Sequence, residues 1–225
     1  MKSEPSGRSL QTPRAAGMSG IVFAVVLAAT LVLVHSAIPG GPGHGTAWLD
    51  RAGSRDAARA ALAVLPFAGI AFLWFMGAVR SHFGEAEDKF FATVLLGSGL
   101  LFAAALFGLA ATAGGLLAAS GSPRAGAALR VWENGRDSSF TLLSSYGMRM
   151  AAVFTACVST IGRRLGAFPP WLAWLGYLIA VILLFVAPSS AWFELAFPLW
   201  VLLVSIHMLA TAGGRQRTPR AGGVS

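Results

Sequence analysis

The chain has 225 residues, of which 56% are hydrophobic and 12% charged, with a mean hydropathy of +0.68 and a formal net charge of +8. Apolar runs of about 20 residues cross about 30 Å of hydrocarbon, so the composition excludes an ordinary water-soluble domain and points to helices packed together in lipid. The positive charge sits mainly in short loops and tails with no basic-aromatic module, which argues for orientation in a membrane and against nucleic-acid binding.

The single Cys157 excludes an internal disulfide and a cysteine-based metal site. The weight of Ala, Gly and Arg suggests a GC-rich bacterial genome. Residues 1–17 carry Lys2, Arg8 and Arg14 with Pro5 and Pro13 and read as a disordered basic cytoplasmic tail. Residues 18–37 form the first span. A cleaved signal peptide is the rival reading, but no small-x-small site follows the apolar run. A Gly/Pro-rich loop leads to the second span, 57–79, where Pro66 deprives the Leu62 carbonyl of its helical donor and predicts a kink.

A short charged turn, 80–89, precedes the third span, 90–120. Within that span Gly97, Ala104, Gly108, Ala111 and Gly115 fall near one face and predict close approach of a neighbouring helix. A second long loop follows, in which 125–133 suggests a short interfacial helix. The fourth span is 139–162, closed by Arg163 and Arg164. Pro169 and Pro170 open the fifth, 171–186, with Trp171 and Trp174 as interface anchors. The sixth is 191–210, and 212–225 is a second disordered basic tail.

The expected fold is therefore all-α: a polytopic bundle of six transmembrane helices with both termini cytoplasmic. With that orientation ten Lys/Arg lie inside and six outside, which the positive-inside rule favours. The expected location is the bacterial plasma membrane, and the lipid bilayer is the first partner. No internal repeat signals an inverted-repeat transporter.

Arg149 lies near the centre of the fourth span, where an arginine costs about 2.5–3.5 kcal/mol on insertion scales. Leu142, Ser145, Arg149, Ala152, Ala156 and Ser159 recur at spacings of three and four, with Tyr146 beside them. Leu143, Met150, Phe154, Cys157 and Ile161 fall on the other side. This segregation predicts that Arg149 points into the bundle and that the bulky side faces lipid. Three readings stay open: a structural clamp on carbonyls and hydroxyls, a site for a small molecule, anion or lipid, or a span whose boundary lies elsewhere. Glu194 is the one acidic residue in any span, offset along the axis by roughly 9 Å at about 1.5 Å per residue. An Arg149–Glu194 pair is expected. A wet Glu194 in the first turn of its helix is the alternative. The candidate ligand-binding set is Arg149, Glu194, Tyr146 and Ser145.

The turn 80–89 is the second candidate. Glu85, Glu87 and Asp88 start a helix and Arg80 ends one, as helix dipoles prefer. Read functionally, Arg80, Glu85, Glu87 and Asp88 make a small acidic cytoplasmic surface for a cation or a protein partner. His82 with these acids has no metal-ligand spacing. His35 and His207 lie near span ends and read as interfacial. No HExxH, GxSxG or phosphate loop is present, so no catalytic residue, metal or cofactor is assigned.

Three segments carry a resemblance: 80–93 (RSHFGEAEDKFFAT), 146–154 (YGMRMAAVF) and 166–176 (GAFPPWLAWLG). In that order between apolar spans they resemble a group of small uncharacterised bacterial integral membrane proteins of about six helices, which implies a fold and no activity. Three functions follow as expectations. The first is a small-molecule, anion or lipid-binding or transporting bundle at Arg149. The second is a membrane scaffold or regulatory partner acting through 80–89. The third is an intramembrane enzyme, which needs a polar cavity at the level of Arg149.

Overall fold

The computed structural model describes residues 13–37, 52–84, 89–119, 141–186 and 191–214. The described residues are helical throughout, with no strand among them. The helices are α1 (Pro13–Ala37), α2 (Ala52–Phe83), α3 (Lys89–Ala119), α4 (Met148–Arg164), α5 (Pro170–Phe185) and α6 (Ala196–Gly214). A π-helical turn, Leu142–Gly147, leads into α4, and a 3-10 turn, Ala191–Leu195, leads into α6. Three stretches are long and apolar enough to cross a membrane: Arg59–Phe83, Lys89–Thr112 and Trp192–Thr211. Gly17–Leu33 and Pro170–Phe185 are shorter apolar helices, and α4 is in neither group because its arginines lower its hydropathy.

Several expected boundaries move: α2 runs from Ala52 to Phe83 rather than 57–79, and α4 ends at Arg164 rather than 162. α1 starts at Pro13, inside the stretch read as tail, because proline suits the first helical position and Ala15 and Ala16 extend a helix readily. α6 likewise runs to Gly214. The rest of both tails, the long loops with the suggested interfacial helix, and Glu85, Glu87 and Asp88 lie outside the described residues. α2 continues through Pro66.

Chain order is also spatial order. Each helix packs on the next, and α6 returns to α1, so the six form a closed ring. The α1–α6 seam is tight because glycines line it. A Cβ on Gly20 would stand 2.0 Å from Ser205 Oγ, and one on Gly17 would stand 2.3 Å from Leu209 Cγ. The turn between α4 and α5 is equally defined. Gly166, at φ +65°, ends α4 in a conformation that suits glycine. The Ala167 amide donates to Gly162 O at 2.9 Å and the Gly166 amide to Arg163 O at 3.2 Å, closing a Schellman motif. Pro170 then starts α5.

The centre of the ring is filled by aromatic rings. Phe23 (α1), Phe72 and Phe75 (α2), Phe102 (α3), Phe154 (α4) and Phe197 (α6) are all fully buried. Phe72 stands 4.9 Å from Phe23, 4.9 Å from Phe102 and 5.1 Å from Phe154 between centroids, and Phe102 stands 5.0 Å from Phe197. Most of these pairs are edge-to-face or tilted, the geometry that the ring quadrupole favours. The outer surface is apolar too: Trp74, Phe185, Phe90 and Phe67 are exposed there.

The face of α3 expected to receive a neighbour is largely open. A Cβ on Gly97 or Gly115 would meet nothing, and Ala104 and Ala111 are exposed. Gly108 alone of that set is packed, against Leu142. The aromatic centre turned the helix instead: Phe102 points inward, and the packed glycine on that side is Gly99, against Met76 and Phe154.

Candidate functional site

α4 sets the geometry. Its buried positions are Met148, Ala151, Ala152, Phe154, Thr155, Cys157, Val158, Ser159, Ile161 and Gly162. Arg149, Met150, Val153, Ala156 and Thr160 are half-buried, and Arg163 and Arg164 are exposed. The half-buried residues recur at spacings of three and four and share one face with the exposed ones. That face points out of the bundle.

The expected orientation of Arg149 is therefore reversed. Phe154, Cys157 and Ile161 were expected to face lipid and are buried, while Arg149 looks outward. Phe154 decides this. Its ring belongs to the central cluster, with Phe72 at 5.1 Å and Phe197 at 6.4 Å, and the helix cannot bury both Phe154 and Arg149 in one core. Of the small side chains on α4 that were read as a packing face, Ala152 and Ser159 are buried, whereas Ala156 lies with Val153 and Thr160 on a half-buried floor between two neighbouring helices.

α3 and α5 flank that floor. On the α5 side Thr160 Oγ1 and Tyr177 Oη share a hydrogen bond of 3.0 Å. Further along, the Arg163 guanidinium lies 5.1 Å from the centre of the Trp174 ring. On the α3 side the Arg164 guanidinium lies 4.9 Å from the centre of the Phe91 ring. Outward residues of the flanking helices, Leu101 on α3 and Leu178 on α5, are exposed.

Arg149 Nη1 donates to the Ser145 carbonyl at 2.5 Å. The acceptor lies in the π-helical turn, where the Met148 amide bonds to Leu143 O and the backbone ladder changes register. The turn fits there because Gly147 allows close approach: a Cβ on it would stand 3.2 Å from Ala105 Cβ on α3. Tyr146 is exposed and Ser145 half-buried, so Ser145, Tyr146 and Arg149 cluster on the outward side.

Glu194 is not with them. It is only 3% exposed, in the 3-10 turn, which packs on α1, α5 and α6. Among the described residues no ion pair joins it to Arg149; the pair present there is Arg59–Asp56 at 3.6 Å on the surface. The expected Arg149–Glu194 pair is thus not made: Arg149 bonds to the Ser145 carbonyl, while Glu194 is buried in the 3-10 turn before α6. Arg80 is exposed at the end of α2. Among the described residues no cluster of His, Cys, Asp and Glu has the makings of a metal site.

Three residues not singled out as a site meet inside the wall. Ser159 Oγ and Trp200 Nε1 are fully buried and have no hydrogen-bond partner. Both converge on Gly176, where a Cβ would stand 1.9 Å from the hydroxyl and 2.9 Å from the indole nitrogen. A serine on α4 spaced to meet a glycine on α5 was the available signal. Trp200 gave none, since a tryptophan in an apolar helix reads as packing.

His207 Nε2 stands 3.2 Å from Ala167 O, and its ring meets Phe168 edge-on at 6.0 Å. Phe168 in turn packs on Phe83 at 5.8 Å. His207 therefore ties the end of α6 to the α4–α5 turn. No family model, curated protein or solved structure matches the chain.

Proposed function

We propose that the chain is an integral membrane protein of the bacterial plasma membrane, with six spans and both termini cytoplasmic, that binds the anionic headgroup of a lipid or lipid-like amphiphile at Arg149. The observation that carries this reading is the outward, half-buried Arg149, which has a carbonyl and no carboxylate for a partner among the described residues. One donor is used on Ser145 O, and the planar fork retains others suited to a phosphate or carboxylate. Tyr146 and Ser145 add hydroxyls beside it. The recessed floor of Val153, Ala156 and Thr160 offers an acyl chain a bed between α3 and α5.

Binding is favoured over conduction because the ring is closed at its centre by six buried phenylalanines. The same filling argues against an intramembrane enzyme, which needs a polar cavity there. The positive-inside count, with Arg163 and Arg164 at one end of α4, supports this orientation, in which Arg149 belongs to the outer half.

The test is calorimetric titration of the detergent-purified protein with a lysophosphatidate. Arg149→Leu is expected to weaken binding by roughly tenfold or more, the loss of a charge-assisted contact. Arg149→Lys, which keeps the charge and loses the fork, should fall between the two. Unchanged binding in the leucine variant refutes the reading.

A further inference from the structure

The end of the bundle opposite Arg149 carries its own cationic cluster. α2 ends there with Arg80 and His82, α3 begins there with Lys89, and α4 ends there with Arg163 and Arg164. The stack of Phe83, Phe168 and His207 shows that the ends of α2 and α6 and the start of α5 share this level. Roughly 21 Å of helix separates Arg149 from Arg163, at about 1.5 Å per residue, so the two regions are distinct.

Arg163 and Arg164 are adjacent in sequence but diverge by about 100° around the helix. Each is held over an aromatic face on a different neighbour, Trp174 on α5 and Phe91 on α3. A guanidinium stacked on a ring is fixed in plane, and its N–H donors point along the ring rather than into it. Both side chains are exposed, and among the described residues neither has a carboxylate partner. The last carbonyls of α4 add negative dipole character that favours cations there. Around them Trp171, Trp174, Phe90 and Leu165 are exposed, so apolar surface adjoins the two charges. Tryptophans at this position mark the level of lipid headgroups.

From this we infer that Arg163 and Arg164, on their aromatic platforms at the end of α4, form a headgroup site for an anionic phospholipid of the cytoplasmic leaflet. The two forks grip phosphate oxygens bidentately, and the exposed rings beside them contact the upper acyl chains. The assignment does not rest on ligand binding at Arg149. The opposing feature is the acidic run Glu85, Glu87 and Asp88 just before Lys89 in the sequence. It limits the net field, so geometry rather than bulk charge must carry the selectivity.

The experiment is native mass spectrometry of the full chain released from nanodiscs of phosphatidylcholine mixed with phosphatidylglycerol. The wild type is expected to retain phosphatidylglycerol preferentially. Arg163→Gln with Arg164→Gln should lower that preference by roughly tenfold, whereas Arg163→Lys with Arg164→Lys should lower it only in part. Trp174→Ala, which keeps both charges and removes one platform, should give a loss of several-fold and serves if the glutamine pair fails to fold. Arg215→Gln with Arg217→Gln, matched in charge, should behave as wild type. The site is overturned if the wild type shows no preference, if the tail variant loses as much as the glutamine pair, if Trp174→Ala changes nothing, or if inorganic phosphate displaces the retained lipid.

Discussion

The Arg149 guanidinium donates to the carbonyl oxygen of Ser145, four residues earlier on its own helix, at 2.5 Å. The bond stays within one element. It ties no helix to another. An arginine that looks outward can extend along the helix surface toward the interface while its stem stays in hydrocarbon.

A stability prediction follows from that geometry. Arg149→Leu should leave the thermal unfolding midpoint in detergent unchanged or raise it, since leucine suits the lipid-facing position better than arginine. An arginine clamping a buried carboxylate would behave in the opposite way, with a loss of about 3–5 kcal/mol on removal of one partner. A clear drop in midpoint would return Arg149 to the bundle interior.

The aromatic centre predicts a large effect from one residue. Phe72 touches the rings of Phe23, Phe102, Phe154 and Phe197, which come from four other helices. Phe72→Ala should therefore destabilise by about 3–5 kcal/mol, the usual cost of emptying a buried phenylalanine site. Denaturation in mixed micelles measures it. Phe67→Ala on the same helix, with an exposed ring, is the internal control and should change little.

The wall between α4, α5 and α6 makes a coupled prediction. Gly176→Ala places a methyl group 1.9 Å from Ser159 Oγ and should destabilise by about 1–3 kcal/mol through overpacking. Ser159→Ala removes a buried hydroxyl without a partner and should be neutral or mildly stabilising. Combined, the two should recover part of the loss, so a double-mutant cycle should show a non-zero interaction term. Strict additivity would mean that the two positions do not meet.

Helix positions were legible because long apolar runs and the Gly and Pro breaks between them show in the sequence. Each expected span has a helix at its place, and the breaks fall where the sequence shows it: Gly166 with Pro169 and Pro170 between α4 and α5, and Gly84 after α2. The facing of those helices was not legible. In water an amphipathic stripe tells which side is buried. In lipid both the core and the surroundings are apolar, so Phe102 and Phe154 inside look no different from Phe90 and Phe185 outside.

Arg149 shows the same division. The sequence alone determined that a cation sits in a helical stretch beside Ser145 and Tyr146, and that Glu194 is the one acid in the expected spans. Only the tertiary structure decided that Arg149 looks out between α3 and α5 while Glu194 is buried apart from it. The reason is packing. The ring closes around phenylalanines contributed by five helices, and the rotation that brings Phe154 into that cluster carries Arg149 to the outside.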